Sequence, residues 1–296
     1  MEEQYGSLVT YRLKWAYTLL LVATLMLPSF YVIYISFNEN GFGAARYDFT
    51  LDWYKVIFTD TLLINALGWT GRLAVMTTLV VVPMGLLAAK FYKSTRRKVL
   101  TVAVFLSPLF VPGDILGSAL LVFFKNLNKG FETFSDWLGN EWFYGWFELG
   151  TLTALIGLII YTLPYVFIVI LITMARYREQ QTEAARACGA NAWQAFWHVE
   201  FPQIRAGIFS ACAFTVILTF NEYIRTSLLK GGFDTFTSVL VSQMLNEGMS
   251  ESSYAMSSIV TYVAVLVIGS IIVWTLVRTE SLEREARAKA QPAMAS

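Results

Sequence analysis

Charge is what this sequence has least of. Only 15% of its 296 residues are Asp, Glu, Lys or Arg, where a soluble domain carries about 25%. That scarcity excludes an ordinary water-facing globule. The 56% share of hydrophobic residues and the positive mean hydropathy place the chain in the membrane class instead. The charges that remain nearly cancel, to a formal +1, which leaves no basic excess for a nucleic acid partner. Histidine occurs once, at His198. The patterns H-E-x-x-H, C-x-x-C and G-x-x-x-x-G-K-[ST] are absent, so neither a metal site nor a nucleotide-binding loop is expected in this chain. Two cysteines, Cys188 and Cys212, do not make a disulfide framework, and both are expected as free thiols. Internal repeats and low-complexity tracts are missing as well.

What is present is a set of long apolar runs. A helix needs about 20 mostly apolar residues to cross a hydrocarbon core of about 30 Å. Six stretches qualify, near residues 15–37, 66–89, 99–124, 151–174, 207–228 and 255–277. The first is too long for a signal-peptide core and lacks a small-residue cleavage site after it, so it is expected to stay as an anchor. The expected fold is all-α: a single polytopic domain over residues 1–296 with six transmembrane helices. Lysine and arginine in the flanks orient it. With the N-terminus in the cytoplasm, 15 basic residues fall on the cytoplasmic side and 5 on the other. Both termini are then cytoplasmic.

The loops differ in kind. Residues 125–150 mix acids with Phe131, Phe134, Trp137, Trp142, Trp146 and other aromatics, the pattern of a short helix lying in the outer interface. Residues 230–254 hold a short apolar piece, Phe236–Leu245, that is expected to be lateral or re-entrant. The tail after Arg278 alternates charges and reads as a short solvated helical extension with a disordered end.

The loop over residues 175–206 is the most informative segment. It reads Glu183-Ala184-Ala185, three residues, Gly189, nine residues, then Val199-Glu200-Phe201-Pro202. Two short helices around a glycine turn are expected. Glu183 stands in a first turn, where the helix dipole favours an acid. Gly189 ends the first helix. Asn191 caps the second with Gln194 as its capping-box partner. Trp193, Phe196 and Trp197 share one face, and Pro202 ends the element. A hairpin presenting such rings needs a partner to cover them. His198 is expected to touch that partner.

This loop resembles the EAA motif of ABC-importer permeases, E-A-A-x3-G-x9-I-x-L-P. Glu183, Ala184, Ala185, Gly189 and Pro202 match outright, while Val199 stands for the isoleucine and Phe201 for the leucine. The chain is most similar to the second permease of spermidine/putrescine-type importers, through Ser36-Phe37-Asn38, Leu51-Asp52-Trp53-Tyr54 and Pro112-Gly113-Asp114-Ile115. The resemblance implies a type I importer permease fold and a coupling loop that docks in an ATPase subunit. It also implies two such ATPase subunits, which bind ATP and Mg, a homologous second permease and an extracytoplasmic solute-binding protein. No cofactor is then held by this chain. The implied location is the bacterial inner membrane, and the implied solute a polyamine or small amine. One departure matters: the group often carries a paired acidic dipeptide in the fifth span, and this chain has Asn221-Glu222.

Ionisable groups inside the membrane cost several kcal/mol, so each needs a reason. Asp114 follows a Pro-Gly break, as a pathway residue, a helix cap or both. Glu222 and Arg225 are three apart, as a self-neutralising pair or with Asn221 and Glu222 on the cavity wall. Arg72 snorkels to the interface or joins the pathway. Tyr161 and Tyr165 flank Pro164, the site of an expected kink, and either line the cavity or pack. A stand-alone secondary transporter, or a permease for another polar or anionic solute, is the alternative reading. A membrane-embedded enzyme is disfavoured, because the spans carry no histidine and no nucleophile–base arrangement.

Overall fold

The computed structural model describes residues 8–40, 46–246, 248 and 251–290. Those residues are almost entirely helical, and the only strand-like pairing among them is an isolated bridge, Asn38 to Phe49. The chain folds as two compact units, residues 1–64 with 240–262 and residues 65–239 with 263–296.

The first unit contains helices α1 (Leu8–Ile35) and α2 (Asp52–Thr59). Helix α1 exposes large apolar side chains all round, among them Leu19, Leu20, Leu25 and Phe30. A helix apolar on every face suits lipid or a neighbouring helix rather than water. After it, the two signature segments pack on one another. Phe37 stacks on Tyr54 at 5.2 Å between centroids. The Trp53 indole N–H donates to the Asn38 carbonyl at 3.1 Å. Tyr54 also shares hydroxyl hydrogen bonds with Ser36 at 2.7 Å and with Tyr262 at 3.2 Å.

The second unit is built on α3 (Thr61–Ser94), α6 (Thr151–Ala175) and α9 (Phe201–Asn221). Val81, Ala89, Phe167, Ile170, Ile204 and Ala211 form its core. Small residues bring these helices close, as is usual where apolar burial alone cannot drive association in lipid. At Gly207 a Cβ would lie 2.0 Å from the Thr173 Oγ1 across the α6–α9 contact. Gly207→Val is therefore expected to force the two helices apart, at about 1–3 kcal/mol or more. Thermal unfolding in detergent should show the loss, with Thr173→Gly in the same chain recovering part of it; an unchanged midpoint would mean that the contact is not tight.

Among the described residues, four helices are long and apolar enough to cross a membrane: Thr10–Ile35, Thr61–Ser94, Thr151–Ala175 and Ala192–Asn221. The expected third span is divided. Helix α4 (Lys98–Leu106) runs into a 3-10 turn, Ser107–Phe110, and α5 (Gly113–Leu138) then leaves at a 94° bend. Pro112 causes the break, because it has no N–H to donate and it holds Val111 extended at ψ 124°. The pair makes a fifth crossing if counted as one span. The described apolar part of α12 (Glu251–Ala290), Glu251–Val267, is shorter than a crossing requires.

Two further expectations need correcting. The outer interfacial helix is not separate: α5 continues to Leu138, where Gly139 in the left-handed region (φ 63°) ends it. The fifth span is not one helix. It stops at Asn221, and α10 (Ile224–Leu229) starts after a two-residue break. Helix α6 passes unbroken through Pro164. The apolar piece at Phe236 is α11 (Phe236–Asn246), whose first N–H is held by the Thr70 hydroxyl at 2.9 Å. The charged tail belongs to α12 up to Ala290, and the expected disordered end, residues 291–296, lies outside the described residues.

Candidate functional site

The hairpin between α6 and α9 is made by local chemistry. Its first helix, α7 (Glu179–Ala187), ends in a full Schellman arrangement. The Ala190 N–H donates to Ala185 O at 3.1 Å and the Gly189 N–H to Arg186 O at 3.0 Å, with Gly189 at φ +94°. Asn191 then caps α8 (Ala192–Ala195): its side chain accepts from the Gln194 N–H at 2.8 Å, and Gln194 accepts from the Asn191 N–H at 3.0 Å. Glu183 is not in the first turn. Helix α7 starts four residues earlier, with Glu179 as its leading acid, so Glu183 sits one turn in and is exposed.

Pro202 does not end the hairpin either. Helix α8 passes through a five-residue π turn, Phe196–Glu200, into α9, where Pro202 occupies the first turn. The wider turn hydrogen-bonds the Phe201 N–H back to Phe196 O. The Gln203 side chain supplies a donor to Val199 O at 2.8 Å. The aromatic face is also divided. Trp193 is 69% exposed and Trp197 42%, and their rings meet edge-on at 5.4 Å. Phe196 is half-buried beneath the Lys90 ammonium, which lies 4.6 Å from its ring centre. Ala184, Gly189, Pro202 and Cys188 are exposed, and Ala185 is half-buried. His198 is exposed, with Nδ1 3.0 Å from Gln194 O.

A second polar site lies where the fifth span breaks. Glu222 and Arg225 are both buried. Arg225 Nη1 donates to both Glu222 carboxylate oxygens, at 2.9 and 3.0 Å, and the Arg225 backbone N–H donates to Glu222 Oε1 at 2.9 Å. The pair is thus not two neighbours on one helical face. Glu222 stands in the break and its carboxylate caps the first turn of α10. The guanidinium lies over the Tyr161 ring, 4.4 Å from its centre, and against Gly113 at the start of α5. Arg225 Nε is buried without an acceptor. Of the expected pathway residues, the structure brings Glu222, Arg225 and Tyr161 together. Asn221 is exposed and donates back to Ile217 O at 3.0 Å. Asp114 is exposed in the first turn of α5, where Pro112 holds the cap position. Arg72 is exposed over the Trp69 ring at 5.1 Å.

The sequence matches the family described as "Binding-protein-dependent transport system inner membrane component" over residues 81–279. The chain belongs to that family. Individual relatives are similar over most of their length. The osmoprotective compounds uptake permease protein GgtC of Synechocystis sp. is 26% identical over 276 residues, 90% of this chain and 97% of the relative. The spermidine/putrescine transport system permease protein PotC homolog of Mycoplasma genitalium is 25% identical over 285 residues, 90% of each. The sulfate transport system permease protein CysW of Synechocystis sp. is 26% identical over 274 residues, 89% of each. In fold, the chain resembles a subunit of a bacterial alginate ABC transporter solved with an alginate pentasaccharide-bound periplasmic protein. That match has a TM-score of 0.62 and 17% identity, and covers 92% of this chain and 95% of the other.

This inner membrane component is thus a multi-pass ABC-importer permease, and it carries polar contacts that sequence reasoning did not single out. Lys90 pairs with the buried Glu200 at 2.7 Å, and Lys93 with Glu179 at 3.0 Å. Lys93 also lies 4.7 Å from the Tyr177 ring centre. Burial pushes the Tyr177 hydroxyl above its ordinary pKa, so it stays neutral in its hydrogen bond with Thr182. These groups line a cleft of about 270 Å³ with Met174 and Ser94. The lysines entered the sequence reading only as topological charges. A signal for Glu200 was present, an acid wedged between Val199 and Phe201.

Proposed function

We propose that this chain is one membrane-spanning half of an ATP-driven, binding-protein-dependent importer. It crosses the inner membrane six times with both termini in the cytoplasm. It pairs with a homologous permease, and two ATPase subunits, which hold ATP and Mg, grip the two coupling loops. A solute-binding protein delivers solute from outside. The observation that carries this reading is the hairpin from Glu183 to Pro202, whose rings at Trp193 and Trp197 are left bare. An ATPase groove over Glu183, Ala184, Ala185, Gly189, Trp193 and Trp197 covers that face. Phe196 from beneath, and Pro202 in the exposed first turn of α9, set its shape. ATP closure of the partner subunits draws the hairpins together and turns the central cavity outward; hydrolysis reverses the motion. The chain transmits force and makes or breaks no bond.

Asp114, Asn221, Glu222, Arg225 and Tyr161 are the residues we assign to the solute path. The resemblance points to polyamines, but relatives named for sulfate and for osmoprotective compounds are as similar as the one named for spermidine and putrescine. Glu222 is also already bound by Arg225. Of the two carboxylates assigned to the path, only Asp114 has no ion pair among the described residues and is left to meet an incoming polycation. Affinity of the cognate binding protein for a panel of amines, polyols, amino acids and oxyanions, read by calorimetry, separates these classes. Tight binding of an amine alone supports the polyamine assignment. Binding of an anion with no affinity for amines removes it. Failure of any ATPase to co-purify with the chain overturns the importer reading itself.

A further inference from the structure

The hairpin is joined covalently to α6 and α9, yet its closest ionic ties are to a third helix. Both ties land on the last turns of α3. Lys93 reaches Glu179, at the start of the hairpin's first helix. Lys90 reaches Glu200, at the end of the π turn that follows the second. The Lys90 contact is the tighter enclosure: its ammonium lies between the Glu200 carboxylate at 2.7 Å and the Phe196 ring at 4.6 Å. The Glu200 side chain is only 9% exposed.

The π turn is what makes this possible. Its extra residue advances the phase of the helix by about 100° relative to an uninterrupted α-helix. Phe196 and Glu200 then meet Lys90, while Trp193 and Trp197 stay bare. One turn therefore presents rings outward and a buried acid inward. Pushing on the outer face moves Glu200, and Glu200 cannot leave Lys90 without stranding a buried charge.

We infer that Lys90 and Glu200 are positioning residues that pass the hairpin's movement to α3, so that α3 is driven together with α6 and α9. The inference rests on the importer reading. It assigns a transmission role to two residues outside both the docking face and the solute path.

The test uses the chain purified with the ATPase subunit that co-purifies with it. Hydrogen–deuterium exchange is read peptide by peptide, with and without ATP plus vanadate. In the unaltered complex, trapping is expected to change exchange both in the hairpin and in the peptides covering the last turns of α3. In Lys90→Glu, the hairpin response should persist and the α3 response should be lost. The exchanged pair, Lys90→Glu with Glu200→Lys, should restore it. A purely structural ion pair gives a different result: Lys90→Glu raises α3 exchange equally in both states, and the trapping difference survives. That result overturns the inference, as does an exchanged pair no better than the single change. If no ATPase co-purifies, or trapping changes nothing in the unaltered complex, the importer reading has failed rather than the joint.

Discussion

Glu222→Ala is expected to lower the stability of the purified chain by about 3–5 kcal/mol, the range for breaking a buried ion pair from one side. The pair is closed on all sides that the structure shows. The carboxylate accepts three hydrogen bonds from Arg225, two from the guanidinium and one from the backbone. Removing it strands the guanidinium against the Tyr161 ring and Gly113, with Nε already lacking an acceptor. It also uncaps α10, which adds about 1 kcal/mol. Thermal unfolding in detergent measures the loss, and a midpoint equal to that of the unaltered chain would show that the pair is loose. The double change Glu222→Gln with Arg225→Met tests what the pair is for. It keeps the volume and a polar cap but removes both charges, and it should recover most of the stability. Uptake then divides the two roles weighed from sequence. A stable double variant that no longer transports supports the solute-path assignment, while one that transports normally leaves the pair as an architectural clasp.

What was legible in the sequence was whatever short spacing encodes. The glycine turn, the Asn191–Gln194 capping box and the pairing of Trp193 with Trp197 all lie within a few residues of one another, and hydrogen bonds over that distance follow from residue type. Register was less legible. The EAA pattern starts at Glu183, so the first helix was read as starting there too, but Glu179-Gln180-Gln181-Thr182 continue it upstream with good helix formers and an acid at the dipole. Breaks inside apolar runs were legible only where proline marked them. Pro112 announced the bend before α5. No proline or glycine marks Glu222-Tyr223, and the break there comes from a carboxylate that caps α10 instead of lying along α9. Hydropathy also misjudged the end of α5, because the stretch from Lys125 to Leu138 becomes polar without ceasing to be helical. Lys90 and Glu200 meet across 110 positions of sequence, and only the packing of α3 on α9 reveals that they are partners.

Gly189→Val should leave the chain folded and inserted yet sharply reduce uptake per ATP hydrolysed. The reasoning starts from the backbone. Gly189 has φ +94°, and a Cβ added there would meet no atom within 4 Å. The cost is therefore conformational, not steric crowding by neighbours. A β-branched residue at positive φ is strained by about 1–3 kcal/mol. That is too little to unfold a multi-pass membrane protein but enough to move a two-residue turn. The strained residue relaxes by giving up the Gly189 and Ala190 hydrogen bonds to Arg186 and Ala185. α7 then ends differently, and the angle between Glu183 and Trp193 changes. A partner groove shaped for both would hold the altered hairpin weakly or at the wrong angle. ATP hydrolysis by the assembled complex should persist, with transport lower by about tenfold, the equivalent of 1.4 kcal/mol at the coupling step. Gly189→Asn is the control. Asparagine tolerates the left-handed region far better, so it should retain most of the coupling. If valine and asparagine behave alike, or if valine transports normally, the turn geometry does not govern coupling, and the rings at Trp193 and Trp197 act without it.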